Sequence, residues 1–350
     1  MYTVHNTKQK AKRLCRIFLR GLFLHVRVIA MKILISDNPK ALGTHCEWQK
    51  EYLEQKIENA EVDIYPYDGT IENLIAHMKN VEVLITAFIP MTAEVLAKCP
   101  HLRCISLTST GFNLVDLEEA DRRNITVASL GEYCTEEVAE HTLAMILAGL
   151  RQLKSCMETI DRDYIWGYTA KQIPTRLQGQ KVGIFGYGRI GKRVGELLQG
   201  FGAEIWVYQP PEHHMIKDMG IQVCSAEEIF ENCTVITNHM AQNNENIHFF
   251  NGEAFAKMKQ YPLLVNTGRG NAIDEDALIY ALDAGMLRGA ALDVLADENP
   301  DLLNHPLRGR RNVILTPHVA FYSKESMDIL AKRSCDNVLA YIDKERKVSG

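Results

Sequence analysis

Several features that would assign this protein to a special class are missing from its sequence. No uninterrupted apolar run among the 350 residues approaches membrane-spanning length, so we expect no transmembrane helix. The nine cysteines form no C-x-x-C pair, and an odd count without metal-ligand spacing indicates reduced thiols in a cytoplasmic protein that holds no metal. Excess positive charge is absent too, because the net charge is −5, which argues against nucleic acid as the main partner.

Acidic residues are absent from positions 1–30, which carry seven basic residues. A basic leader without acidic residues is typical of an organelle-targeting or membrane-surface segment. We favour the alternative, in which Met31 is the true start and residues 1–30 are an upstream reading artefact or a disordered tail. The reason is that residues 31–36 (MKILIS) have the pattern of a first strand.

What the sequence does contain is a glycine turn within a strand–helix–strand pattern. Residues 182–185 form a short apolar run that predicts a buried strand, and Gly186-x-Gly188-x-x-Gly191 follows it. Gly186 allows the tight turn, Gly188 lets the backbone approach a pyrophosphate, and Gly191 lets helix and strand pack closely. The helix begins near Arg189 and Ile190, where its backbone N–H groups would hold the pyrophosphate. This context predicts a dinucleotide site.

The second strand of this unit lacks the acidic residue that usually binds the ribose hydroxyls of NAD. Gln209 stands there, followed by two prolines. Gln209 can bond a hydroxyl but does not repel a 2′-phosphate, and the nearest basic candidates to attract one are His213, His214 and Lys217. NAD is the expected cofactor, and NADP is not excluded.

The rest of the chain alternates strand-like and helical segments, which predicts parallel sheets covered by helices. At 350 residues, two domains are expected, and the fold class is α/β with two doubly wound parallel-sheet domains. The predicted strands are 33–36, 62–65, 81–86, 102–107, 125–128, 182–185, 205–208, 234–239, 263–267, 290–294 and 313–316. Predicted helices include 47–57, 71–78, 93–99 and 325–343, together with a long apolar helix capped by Thr135. We interpret His141, inside that helix, as a packed histidine rather than a catalytic one.

Three polar residues stand just past predicted strand ends, where open α/β sheets bind their ligands. They are Arg269, Glu298 and His318. Arg269 offers a two-pronged fork for a substrate carboxylate. His318 can give a proton to a carbonyl oxygen as hydride arrives, and Glu298 beside it would favour the imidazolium. Taken alone, Arg269 could form a surface ion pair, Glu298 could be a loop charge and His318 could be a core histidine. Together, and beside a dinucleotide fold, they indicate hydride transfer to a 2-oxo acid.

At this point the sequence resembles a known family, the D-isomer-specific 2-hydroxyacid dehydrogenases, and especially its D-lactate dehydrogenase branch. The resemblance runs from about Met31 to the C-terminus. Besides the glycine turn, it is carried by residues 106–113 (SLTSTGFN), 137–142 (EVAEHT), 266–270 (NTGRG), 292–298 (LDVLADE) and 316–318 (TPH).

The resemblance implies a role for each matching residue. Arg269 would bind the substrate carboxylate, His318 would be the acid/base, and Glu298 would tune it. Asp293 would hold the nicotinamide carboxamide. The remaining assignments are to cofactor binding (Thr267, with Gly186, Gly188, Arg189, Ile190, Gly191 and Gln209) and to substrate binding (Thr110, Gly111, Tyr133 and Tyr322). We add a hypothesis from position alone: Phe88, at a strand end, touches the substrate side chain.

The resemblance also implies the architecture. A Rossmann cofactor domain (132–318) would be inserted into a flavodoxin-like substrate domain (31–131 and 319–350), to which the last helix returns. Family members are commonly homodimers joined through cofactor domains, so the Thr135 helix is an interface candidate. No nucleic acid or membrane partner is expected.

Three departures from the family pattern concern the surroundings of the catalytic groups rather than those groups themselves. They are Gln209, Ala241 with Asn243 in place of the usual Pro and Thr, and Asn299, which displaces a Pro by one position. The alternative function is a dinucleotide-sensing interaction protein like the C-terminal binding proteins, which share this fold and a turn similar to residues 132–135 (EYCT). An intact Arg269, Glu298 and His318 set favours the enzyme.

Overall fold

A computed structural model describes residues 31–43, 45–112, 114–168, 173–209 and 220–349. The leader 1–30, Asn113, both prolines after Gln209, and the basic candidates His213, His214 and Lys217 lie outside these ranges. The chain divides into two compact units, one made of residues up to Tyr133 and from Met327 onward, the other of Cys134–Ser326. The second unit is therefore inserted into the sequence of the first.

The first unit contains a parallel five-stranded sheet in the order β2-β1-β3-β4-β5. This is the flavodoxin-like order. Strands β3 and β4 are buried at every residue, as expected for strands covered on both faces. The strands are β1 (Met31–Asp37), β2 (Ala60–Pro66), β3 (Val83–Thr86), β4 (Cys104–Leu107) and β5 (Thr126–Ala128). The helices are α1 (Pro39–Leu42), α2 (His45–Lys56), α3 (Ile71–His77), α4 (Ala93–Ala97) and α5 (Leu117–Arg122).

The second unit contains a parallel seven-stranded sheet in the order β12-β11-β10-β9-β6-β7-β8. The chain order reverses between β6 and β9, which opens the crevice where doubly wound sheets bind ligands. The strands are β6 (Lys181–Phe185), β7 (Glu204–Tyr208), β8 (Ile221–Cys224), β9 (Val235–Asn238), β10 (Leu263–Asn266), β11 (Gly289–Leu292) and β12 (Val313–Leu315). The helices are α6 (Thr135–Leu150), α7 (Leu153–Asp161), α8 (Arg189–Gly200), α9 (Ala226–Asn232), α10 (Gly252–Ala256) and α11 (Glu275–Asp283).

The last helix, α12 (Lys324–Ser349), returns to the first unit as predicted. Its Cys335, Val338 and Ile342 are buried in the same apolar cluster as Ile33 and Leu53. A buried hydrogen bond from Gln49 to the Ser334 hydroxyl (2.7 Å) ties α2 to this helix.

Two expectations need correction. Thr135 does not cap the long helix, because Cys134 is the N-cap residue, it makes no side-chain capping bond, and Thr135 is the first helical residue. Strand β8 was not predicted; it is short, and Gln222 and Val223 in it are exposed at the edge of the sheet, so it lacks the apolar run of a central strand.

Candidate active site

The glycine turn has the geometry that a pyrophosphate requires. Gly186 has a φ of +86°, and a Cβ there would lie 2.5 Å from the backbone of His239 and Met240. A Cβ on Gly191 would collide with the Gly186 carbonyl oxygen, so helix and strand need glycine at both positions. Around Gly188, by contrast, a Cβ would meet nothing within 4 Å. Gly188 is the N-cap residue of the twelve-residue helix α8. The open space beside Gly188, next to the first N–H groups of that helix, fits a dinucleotide pyrophosphate.

The remaining cofactor candidates lie at the carboxyl ends of neighbouring strands in the same unit. Gln209 follows β7 and is half-buried. Thr267 follows β10 and is 9% exposed. Asp293 follows β11 and is buried, and Arg189 and Ile190 open α8. One edge of the sheet thus carries every residue proposed to bind the cofactor.

His318 and Glu298 form a hydrogen-bonded pair in the same unit. Nδ1 of His318 lies 2.8 Å from Oε2 of Glu298. The pKa of Glu298 is lowered mainly by the hydrogen bond from His318, and the charges of His318 and Arg269 lower it further. The carboxylate is therefore the acceptor and Nδ1 carries the proton, so Nε2 is the ring nitrogen that can serve a substrate. Glu298 and His318 are thus in direct contact, and the charge of Arg269 acts on the same carboxylate.

Arg269 is set in place by two buried asparagines that sequence reasoning missed. Asn266 ends β10 and pairs in register with Asn238, which ends β9. Oδ1 of Asn266 accepts from the Asn238 amide (3.0 Å) and from the Gly268 N–H (3.1 Å), and its own amide donates to the Arg269 carbonyl (2.9 Å). The sequence signal was available, because each of these apolar strands ends in a polar residue.

The substrate candidates are divided between the two units. Tyr322 belongs to the second unit, is 66% exposed, and its ring lies edge-on to Phe321, whose ring is in turn edge-on to His318. Thr110 and Gly111 belong to the first unit and follow β4, with the Ser109 hydroxyl donating to the Gly111 carbonyl (3.0 Å). Tyr133 is the last residue of that first segment.

Phe88 follows β3 in the first unit and is 47% exposed, which is unusual for an aromatic side chain at the end of a buried strand. The buried carboxyl of Asp37 accepts from the Ala87 N–H (2.6 Å) and the Phe88 N–H (3.1 Å). Burial raises the pKa of Asp37, and these backbone donors oppose the rise. Asp37 thus fixes the backbone from which the Phe88 ring projects.

The chain is similar to known proteins in both sequence and structure. Residues 143–320 match the family described as "D-isomer specific 2-hydroxyacid dehydrogenase, NAD binding domain". A glyoxylate reductase from Aeropyrum pernix is 31% identical over 285 residues, which cover 77% of this chain and 82% of that protein. The structure is similar to that of a D-lactate dehydrogenase from Aquifex aeolicus complexed with NAD and lactic acid (TM-score 0.78, 26% identity, 90% of this chain and 96% of that one).

An acyclic imino acid reductase in complex with NADPH and D-Arg shares the fold with a TM-score of 0.79 at 24% identity, over 90% of this chain and 98% of that one. The glyoxylate reductase and the D-lactate dehydrogenase are both named as enzymes, so the interaction-protein alternative gains no support from them.

Proposed function

Since the chain belongs to the D-isomer-specific 2-hydroxyacid dehydrogenases, an NAD-dependent family of oxidoreductases, we propose that it catalyses hydride transfer between NAD(H) and a small 2-oxo acid or D-2-hydroxy acid, with Arg269, Glu298 and His318 as the catalytic residues. The observation that carries this assignment is the 2.8 Å pair of His318 and Glu298 at the carboxyl edge of the sheet, with Arg269 close enough to act on the same carboxylate.

Arg269 binds the carboxylate of the substrate. Nη1 of Arg269 donates to the Gly268 carbonyl (2.9 Å). This bond orients the guanidinium plane and leaves the other N–H donors of Arg269 for a substrate. A guanidinium suits this task because two parallel N–H···O bonds fix both the position and the plane of a carboxylate.

His318 moves the proton. In reduction, Nε2 gives its proton to the carbonyl oxygen of the 2-oxo acid; in oxidation, it takes the proton from the hydroxyl group. Glu298 keeps Nδ1 protonated and stabilises the imidazolium that reduction consumes. When bound, NAD(H) supplies or accepts the hydride at the substrate's C2.

The residues that would hold the cofactor are those of the glycine turn, with Gln209 for the ribose hydroxyls and Thr267 and Asp293 towards the nicotinamide. Gln209 brings no charge to reject a 2′-phosphate, so the preference for NAD over NADP is mild. We assign cofactor binding to residues 132–318 and substrate binding to residues 31–131 with 319–350. Thr110, Gly111, Tyr133 and Tyr322 are proposed as substrate-binding residues.

The protein is proposed to be a homodimer. The apolar residues of α6 that suggested an interface are packed in the core of their own unit, for example Met145 and Ile146. The following helix, α7, instead exposes Leu153 (51%), Met157 (62%) and Ile160 (48%), which share one helical face.

The segment after α7 also exposes two aromatic side chains, Tyr164 (89%) and Trp166 (92%). Large exposed apolar side chains grouped in one stretch of the chain favour a subunit contact there. A cytoplasmic location is proposed because the eight cysteines among the described residues are all free thiols. Within that part of the chain, no helix is both long and apolar enough to cross a bilayer.

A substrate panel tests the proposal. Purified protein with NADH, and separately with NADPH, is given pyruvate, hydroxypyruvate, glyoxylate and 2-oxoisocaproate while absorbance at the reduced-nicotinamide band is followed. We expect oxidation of NADH by at least one acid and a lower rate with NADPH. No oxidation of either cofactor on any acid would overturn the proposal, and equal rates would overturn only the cofactor preference.

A further inference from the structure

Two adjacent residues of α6 contact two different strand ends of the active site. Nε2 of His141 lies 3.1 Å from the Thr316 hydroxyl, which follows β12. The Thr142 hydroxyl lies 2.8 Å from the Thr267 hydroxyl, which follows β10. Each contacted threonine stands two positions before a group proposed to act on the substrate: Thr316 before His318, and Thr267 before Arg269.

The direction of the His141 bond follows from its neighbours. The Thr316 hydroxyl donates its one proton to Oδ1 of Asp293 at 2.5 Å. Its lone pair must therefore accept from His141, so Nε2 of His141 carries a proton. The same nitrogen lies 3.7 Å from Oδ1 of Asp293, beyond hydrogen-bond distance, so His141 is linked to this buried carboxylate through the Thr316 hydroxyl.

Asp293 in turn fixes the loop that carries the acid/base residue. Its two carboxylate oxygens accept from the N–H groups of Val319 (3.0 Å) and Ala320 (2.9 Å), and its carbonyl accepts from the His318 N–H (2.7 Å). His318 has a φ of +53°, a left-handed conformation that costs a non-glycine residue free energy. The surroundings must hold it there, and Asp293 supplies the bonds on both sides.

The Thr142 side forms a second chain whose directions are equally determined. The Thr142 hydroxyl donates to the Val138 carbonyl (2.7 Å), so the Thr267 hydroxyl must donate to Thr142. Thr267 then accepts from Nδ1 of His239 at 3.3 Å. Burial lowers the pKa of His239 to about 3, so it is neutral, and its Nε2 accepts from Thr237 at 3.0 Å.

We infer that His141 and Thr142 are positioning residues of the reaction: α6 uses them to fix the His318 loop and the Arg269 loop relative to each other. This inference rests on the roles proposed above for His318 and Arg269. Thr142 and Asp293 are buried, and His141 is 25% exposed in its side chain, so water competes little for the bonds. Neither residue touches the reacting atoms; both act through the threonines.

His141→Leu tests the first half. Without the Nε2 donor, we expect kcat for 2-oxo acid reduction to fall about tenfold with the KM for NADH unchanged. His141→Gln keeps an N–H donor at a similar reach and should restore most of the rate. Glu140→Gln, an exposed neighbour on the same helix, is the matched control and should behave as wild type.

Hydrogen exchange in the protein without cofactor gives a readout that is independent of activity. We expect the Val319 and Ala320 amides to exchange faster in His141→Leu, while amides in β6 and β7 stay unchanged. A wild-type kcat together with unchanged exchange at Val319 and Ala320 overturns the role of His141. A structural role alone would lower the melting temperature and accelerate exchange throughout the unit.

Thr142→Val tests the second half, because it removes the hydroxyl at nearly constant volume, and Thr142→Ser restores it. We expect the valine variant to raise the KM for the 2-oxo acid several-fold and the serine variant to recover it. An unchanged KM in Thr142→Val overturns this half. If wild-type protein reduces none of the acids, the proposed function fails, and the exchange data still decide whether His141 holds the loop.

Discussion

At His318, backbone and side chain are both set by acidic residues. Asp293 holds the left-handed backbone, and Glu298 binds the ring through Nδ1. The sequence placed His318 and Glu298 past predicted strand ends, and Asp293 within the predicted strand 290–294, and so predicted their neighbourhood. It could not predict that Asp293 also fixes the loop, because these bonds join backbone groups whose positions depend on the fold.

Glu298→Gln should make reduction more sensitive to alkaline pH. The pKa of Glu298 is lowered by the hydrogen bond from His318, so the carboxylate is ionised at working pH and favours the imidazolium. A neutral amide cannot stabilise the imidazolium, so kcat/KM for reduction falls, and it falls most at alkaline pH, where protons are scarce. We expect about a tenfold loss at pH 8 and a smaller loss at pH 6.

The pH profile of kcat/KM measures this effect. Asp297→Asn removes a neighbouring negative charge but leaves the hydrogen bond between Glu298 and His318 in place, and it serves as the control. A Glu298→Gln profile that overlays the wild-type profile would contradict the tuning role.

Phe88→Ala should change which acids are used without changing the chemistry. The ring is half exposed on a backbone fixed by Asp37, so its removal opens space and leaves the loop in place. We expect the ratio of kcat/KM for 2-oxoisocaproate over pyruvate to change by about tenfold. The same substrate panel measures it, and an unchanged ratio would remove Phe88 from the pocket.

Among the elements, β6, the glycine turn and α8 were the most predictable, because a buried apolar run, fixed glycine spacing and helical periodicity coincide there. The edge strand β8 was missed because two of its four residues, Gln222 and Val223, are exposed, so the sequence shows no apolar run there. The Thr135 cap was wrong because a threonine before two glutamates satisfies the capping pattern whether it precedes the helix or begins it. Contacts such as His141 with Thr316, 175 residues apart in the chain, carry no local signal.

Two glycines of the turn, Gly188 and Gly191, should respond differently to alanine. Gly191→Ala places a Cβ against the Gly186 carbonyl and should destabilise folding by about 1–3 kcal/mol. Gly188→Ala meets no protein atom within 4 Å, so it should leave the melting temperature unchanged and weaken NADH binding about tenfold or more. Thermal unfolding and fluorescence titration with NADH separate the two effects. Tight NADH binding by Gly188→Ala would contradict the pyrophosphate assignment.

For the whole molecule, the two parallel α/β sheets followed from the alternation of strands and helices together with the resemblance. The proposed subunit contact is assigned to α7 from the structure, since the apolar residues of α6 pack in the core and α7 has an exposed apolar face. Periodicity shows that a helix has an apolar face but does not show what covers it.

Charges on α7 should prevent dimer formation. We expect Leu153→Glu with Met157→Glu to sediment as a monomer at concentrations where wild type is a dimer, because desolvating two carboxylates in an apolar interface is costly. Tyr280→Glu, at an equally exposed aromatic of the same unit, is the control and should stay dimeric. A double variant that remains dimeric would place the contact elsewhere.

The proposed reaction depends on His318 giving its proton to the carbonyl oxygen of the 2-oxo acid while hydride arrives at C2. The most direct test is the single-turnover rate of NADH oxidation by the best 2-oxo acid in His318→Gln, with NADH affinity measured in parallel. We predict a rate at least about 100-fold below wild type, with NADH affinity unchanged. A His318→Gln protein that transfers hydride at the wild-type rate would contradict the account.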